Sequence, residues 1–263
     1  MEFTRTAVTV AGNRPVRLSV IDIRPPTPRG TIVMLHGAGG NAEQWKHQIQ
    51  HFAPHYRVIA PDLRGHGASE APRSAYSLEE FLWDFAQILE QLQVPEQFIL
   101  MAHSFGGPVA LTFSAAHQRR VARLVLVATA PEMHLNRAVE MALKLPIPIE
   151  QLERLRPMLF PKLHAPLFVL KKVLASTLFP WRGWDLLPNV AAPTLIVGGQ
   201  FDLIVPSSTL ESMRQMMPAA RLELVRYTGH LPHLERPNSV NTHIEAFLEE
   251  RRRRSWRGEE EHP

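Results

Sequence analysis

Short apolar runs alternate along this chain with longer segments of helical period. Thr6 to Val10 and Arg17 to Ile23, separated by Ala11-Gly12-Asn13-Arg14, predict an N-terminal hairpin. Thr31 to Leu35, Arg57 to Ala60, Phe98 to Ala102, Leu124 to Ala128, Thr194 to Val197 and Leu222 to Val225 then form near-continuous runs of valine, isoleucine and leucine. Runs of this kind suit strands covered on both faces, as in a parallel sheet. Between them lie amphipathic helices, the clearest beginning at Ser77. Its hydroxyl can cap the helix while Glu80 reaches back, and Leu78, Phe81, Leu82, Phe85, Leu89 and Leu92 follow on one face. The alternation predicts an α/β fold with a mainly parallel central sheet flanked by helices, in which ligands gather at the carboxyl ends of the strands.

One segment breaks the rhythm. From about Glu132 to Asn189 no strand pattern occurs, and Leu-, Met- and Phe-rich amphipathic pieces are punctuated by Pro146, Pro148, Pro157, Pro161, Pro166 and Pro180. So much chain between two consecutive strands predicts an inserted helical cap. The expected division is a core of residues 1–131 and 190–250, a cap of 132–189, and a charged, solvated tail of 251–263.

Composition narrows the function classes. Of the 263 residues, 45% are hydrophobic and 21% charged, as in an average folded domain. No apolar run approaches the roughly 20 residues a membrane span needs. The stretch "MEFTRTAVTVAGNRP" has no apolar signal core, so a cytoplasmic location is the expectation. The absence of cysteine excludes disulfides and thiol chemistry. Although the net charge is +4, the basic residues are scattered, and the dense run Arg251 to Arg254 is followed by Glu259, Glu260 and Glu261. No nucleic-acid partner is expected from that distribution, and no oligomeric state is indicated.

The chemistry concentrates around "MAHSFGG", residues 101–107, where a strand run meets the opening turns of a helix. Ser104 would occupy a sharp strand-to-helix turn, for which small residues at Ala102 and Gly106 leave room. A serine hydroxyl is a poor nucleophile until a base removes its proton, and that base needs a carboxylate to hold its tautomer. "TLIVGGQFD" places Asp202 just past one strand and "LELVRYTGH" places His230 just past the next, in the order Ser, Asp, His. In "MLHGAGG", residues 34–40, the amide of Ala38 is the expected partner of the Phe105 amide as an oxyanion hole, with Gly39 as the fallback donor. The glycine run lacks the spacing and the Gly-Lys-Ser/Thr ending of a phosphate loop.

With "HGAGG", "PDLRGHGAS", "AHSFGG", "GGQFD" and "TGHLPHLERP" in this order, the chain resembles the α/β-hydrolase superfamily from roughly Arg17 to Leu248. It is similar to serine esterases and lipases with a helical cap, and departs from them in having Ala102 where the family usually has glycine. The resemblance implies an acidic nucleophile in related haloalkane and epoxide enzymes, against which Ser104 argues. It also implies a structural loop at Asp62, Arg64 and His66.

Several other residues have a plainer reading beside a chemical one. His36 and His103 adjoin the active loops and read as hydrogen-bonded structural residues. His230 and His233 have a spacing that could hold zinc but no second ligand cluster, so no metal or cofactor is expected. Glu132 is an alternative acid. Trp181 and Trp184 either line a substrate pocket or pack cap against core. The expected partner is a small-molecule ester, apolar and short- to medium-chain or aromatic. A C–C bond hydrolase or lyase, an acyltransferase, or a ligand receptor retaining the triad would use the same residues.

Overall fold

In the computed structural model, the apolar runs become eight strands, β1 (Arg5–Val10), β2 (Val16–Ile23), β3 (Thr31–Leu35), β4 (Arg57–Pro61), β5 (Phe98–His103), β6 (Val121–Val127), β7 (Thr194–Gly199) and β8 (Ala220–Val225). The described residues are 3–12, 14–133 and 149–258, the side chains of 149–151 and 251–258 excepted. One sheet holds all eight strands in the order β1-β2-β4-β3-β5-β6-β7-β8. The predicted hairpin pairs β1 with β2 and then β2 with β4, both antiparallel, and every pairing from β4 across to β8 is parallel.

Strand alternation sorts the apolar side chains onto the two faces. Val33, Leu35, Leu100, Ala102, Leu124 and Leu126 meet helices α2 (Leu78–Gln91) and α3 (Gly106–Ala116) through Phe81, Phe85 and Val109. Ile32, Met34, Met101, Val125, Val127 and Val197 form the second core with Ile49 and Phe52 of α1 (Lys46–Phe52). Val240, Ile244 and Phe247 complete it. Burial on both faces is why these strands read as continuous apolar runs.

The expected capping box is present at α2: Ser77 accepts from the Glu80 amide, and the Glu80 carboxylate accepts from the Ser77 amide. Such a cap contributes about 1 kcal/mol. Between β6 and β7 the described residues contain only helical elements. These are α4 (Ile149–Leu159), α5 (Leu167–Val173) running into a π-helical turn at Leu174–Leu178, and a 3-10 turn at Trp184–Asn189. Pro146 and Pro148 lie outside the described residues. The insertion is tied down by His164 N–H to the Gly39 carbonyl at 2.8 Å, Gly67 N–H to the His164 carbonyl at 2.7 Å, and the Thr177 hydroxyl to the Tyr76 carbonyl at 2.5 Å.

After β7 come α6 (Ser207–Met216), the short α7 (Pro232–Glu235) and α8 (Pro237–Gly258). The α8 backbone is helical to Gly258, extending from the apolar face that starts at Val240 into the segment expected as a charged, solvated tail. Glu259, Glu260 and Glu261 lie outside the described residues. Among the described residues no helix is long and apolar enough to cross a membrane.

Candidate active site

The parallel registers pair Leu35 with Ala102, His103 with Val127 and Gly199 with Val225, so the loops after β3, β5, β7 and β8 leave the sheet at one edge. Ser104 occupies the first residue of the turn into α3, with φ of +46°. Its amide donates to the Val127 carbonyl at 3.0 Å, and its carbonyl accepts from the Gly107 amide and the Thr129 hydroxyl, each at 2.8 Å. A left-handed serine costs about 1–2 kcal/mol, which these bonds hold in place. The glycine after the turn is a steric requirement, since a Cβ on Gly106 would stand 2.8 Å from the Leu35 carbonyl oxygen.

His230 Nε2 lies 2.9 Å from Ser104 Oγ, and His230 Nδ1 lies 2.8 Å from Asp202 Oδ2. A carboxylate can only accept, so Nδ1 carries the proton and Nε2 presents its lone pair to the serine hydroxyl. The other carboxylate oxygen of Asp202 accepts from the amides of Ile204 at 2.8 Å and Val205 at 3.0 Å. The Asp202 side chain is fully buried, whereas His230 keeps about a fifth of its side chain exposed toward the cleft. The two loops can touch because position 199 is glycine: a Cβ there would meet the Gly229 carbonyl oxygen at 2.0 Å.

Two residues not singled out as chemical hold the histidine loop. Glu235, at the end of α7, accepts from the Gly229 amide at 2.7 Å and the Leu231 amide at 3.0 Å, on either side of His230. His103 Nε2 donates to the His230 carbonyl at 3.0 Å, so the structural reading of His103 matches its geometry. Burial, reinforced by His233 and His230, pushes the His103 imidazole well below its ordinary range and keeps it neutral. His233 stacks between His103 and Trp45, with ring centroids 4.5 and 4.8 Å away, and burial pushes it down to about 3. His230 turns its Nε2 to Ser104, so the zinc spacing noted in the sequence does not bring two free ring nitrogens together.

The amides of Ala38 and Phe105 have no acceptor among the described residues. Phe105 is fully buried at the N-terminus of α3, its ring edge-on to Phe81 at 4.9 Å, and Ala38 lines the cleft that contains Ser104. A buried amide without an acceptor is costly unless a ligand oxygen supplies one. The neighbouring Gly37 amide is instead engaged by Gln44 Oε1 at 3.1 Å, a contact the sequence did not signal.

The remaining motif residues are structural in their contacts. His36 donates through Nδ1 to the Gly37 carbonyl and accepts at Nε2 from the Leu63 amide. Asp62 accepts from Ala42, Ala68 and Arg5, Arg64 forms a two-pronged pair with Asp84, and His66 bonds the Arg64 carbonyl. Glu132 pairs with Arg182 at 3.1 Å.

The cleft above Ser104 has a volume of about 550 Å³. Its outer wall is Phe160, Pro161, Lys162 and Leu163 of the insertion, facing Ile204 and Leu231. The two tryptophans lie elsewhere. Trp184 lines an adjoining pocket of about 330 Å³ with Glu132 and Leu203, which meets the main cleft at Ile204, while Trp181 packs against Gly183 and the core.

A family model for the alpha/beta hydrolase fold matches residues 30–147. A thermophilic esterase from Thermogutta terrifontis is 26% identical over 93% of this chain and 98% of its own, with a TM-score of 0.74. Epoxide hydrolase 3 of Xenopus tropicalis is 26% identical over 83% of this chain and 71% of its own. The enol-lactonase of Burkholderia xenovorans LB400 shares the fold, at 20% identity over 89% of this chain and 97% of its own, with a TM-score of 0.77. Sheet order, motif order and these likenesses agree that the chain has the alpha/beta hydrolase fold.

Proposed function

We propose that this chain is a serine hydrolase that cleaves carboxylic esters through an acyl-enzyme intermediate. The observation that carries the reading is the continuous relay from Asp202 through His230 to Ser104, with every bond between 2.8 and 2.9 Å. His230 Nε2 takes the Ser104 proton as Oγ bonds to the ester carbonyl carbon. The carbonyl oxygen becomes an oxyanion facing the Ala38 and Phe105 amides, each worth about 3–4 kcal/mol in the barrier. Collapse of this intermediate breaks the bond to the alcohol, which leaves with the proton from His230. Water then repeats the sequence on the acyl-enzyme, and Asp202 holds the imidazole tautomer throughout.

Residues 132–189 serve as the cap in this reading, with 1–131 and 190–250 as the core. The apolar walls at Phe160, Leu163, Ile204 and Leu231 favour short- to medium-chain or aromatic groups. An epoxide hydrolase reading, despite the 26% likeness, would need an acidic nucleophile where Ser104 stands.

A panel of p-nitrophenyl esters of graded chain length, run on the wild type and on Ser104→Ala, tests the proposal. Activity lost across the panel in the variant supports it, whereas hydrolysis persisting in Ser104→Ala overturns it. Added alcohol acceptors separate hydrolysis from acyl transfer by product, and a diketone substrate separates C–C cleavage. Ligand binding without a p-nitrophenol burst would mark a receptor.

A further inference from the structure

Resting on that ester-hydrolase reading, we infer that Lys162 makes the cleft selective for esters bearing a carboxylate remote from the scissile bond.

Among the described residues, Lys162 is the only lysine, arginine, aspartate or glutamate lining the cleft that holds Ser104. The surrounding walls are apolar, and the Asp202 carboxylate is fully buried behind His230. Charged groups of the adjoining pockets are already matched: Arg5 with Glu43 and Asp62, Arg156 with Glu153, and Glu132 with Arg182. Among the described residues the Lys162 ammonium has no such partner. Gln44 adds a second donor, since its Oε1 is engaged by the Gly37 amide and its Nε2 donates to no described residue.

The backbone that carries the lysine is held in place. It occupies the third position of a turn in which the Leu163 amide donates to the Phe160 carbonyl at 2.9 Å, with Pro161 at the second position, where its fixed φ suits a turn. The Leu163 carbonyl accepts from Arg156 at 2.6 Å and the His164 amide donates to the Gly39 carbonyl at 2.8 Å, pinning the backbone just beyond it. A cation carried on a pinned backbone turn beside an apolar wall recognises a chain that is apolar near the ester and anionic at its far end.

The matched substrates are p-nitrophenyl hexanoate and mono-p-nitrophenyl adipate, assayed on the wild type, Lys162→Met and Lys162→Glu. An exposed ion pair of this kind changes binding several-fold, so the adipate-to-hexanoate ratio of kcat/KM should fall about threefold to fivefold in Lys162→Met and about tenfold in Lys162→Glu. The ratio corrects for any change in hexanoate turnover that the altered wall causes, and thermal stability should stay at the wild-type value. Raising the salt to about 0.5 M should remove most of the wild-type preference and leave Lys162→Met unaffected, because only a charge interaction is screened. A ratio unchanged in both variants overturns the inference while leaving the serine mechanism standing. Wild-type protein that turns over neither ester and whose Ser104 resists a fluorophosphonate would instead sink the reading beneath it.

Discussion

Replacing Asp202 by asparagine tests the relay at its most specific point. In the wild type, Oδ1 accepts from two backbone amides, Ile204 and Val205, while Oδ2 accepts from His230 Nδ1. An asparagine amide must satisfy the same two backbone donors with its single oxygen, which turns its NH2 group toward His230. Nδ1 must then be the acceptor, so the ring proton moves to Nε2, the atom 2.9 Å from Ser104 Oγ. A protonated Nε2 has no lone pair with which to take the serine proton. The expected loss in kcat is about 10⁴-fold, or about 5.4 kcal/mol in the barrier. KM and the unfolding midpoint should move little, since the shape and two of the three hydrogen bonds survive. Burst-phase kinetics with a p-nitrophenyl ester measure acylation directly. Retention of more than about a tenth of wild-type acylation would refute the tautomer argument and move the acid to another residue, Glu132 first.

Three further outcomes follow from the same geometry. Glu235→Ala should lower kcat by about 10- to 100-fold through displacement of His230, with Glu235→Gln intermediate because it keeps one of the two amide contacts; kinetics with unchanged kcat in both would remove the positioning role. Gly106→Ala drives a Cβ against the Leu35 backbone and should reduce acylation more than it reduces melting temperature, an order that parallel calorimetry and kinetics can reverse. Burial pushes His36, His66, His103 and His233 down, His66 to about 4 and His233 to about 3. Unfolded histidines titrate near 6.5, so below that pH the unfolded state binds more protons. Stability is then full above about pH 6.5 and falls toward the folded values by about 1.4 kcal/mol per pH unit for each histidine. Urea unfolding between about pH 7 and pH 5 reads the slope, which His233→Leu should flatten by one proton; a midpoint independent of pH contradicts it.

What was legible in the sequence depended on how locally each feature is determined. The central strands announced themselves because burial on both faces leaves no polar position to interrupt them. β6 and β8 begin earlier than their apolar runs do. Arg123 and Arg221 belong to those strands, and each lays its guanidinium over the Phe247 ring, so a charged side chain covers apolar surface without looking apolar. Ser104, Asp202 and His230 were readable because each follows a strand at the same sheet edge, and parallel register fixes those ends in space. Glu235 and Gln44 left no comparable signal, since each acts on loop amides that acquire their direction only when distant segments meet.

The pocket wall shows the same limit from the other side. Trp181 and Trp184 had two readings, pocket lining or packing of cap on core, between which hydropathy could not choose, and the turn from Phe160 to Leu163 lines the Ser104 cleft. Hydropathy reports that a side chain is buried, not which surface buries it. The position of that turn follows from two backbone bonds between His164 and the glycines at 39 and 67, and both glycines have positive φ, +71° and +54°. A change of length or sequence within the insertion can therefore reshape the substrate wall while the sheet holds Ser104, His230 and Asp202 in register, so substrate choice can diverge without disturbing the hydrogen-bonded relay.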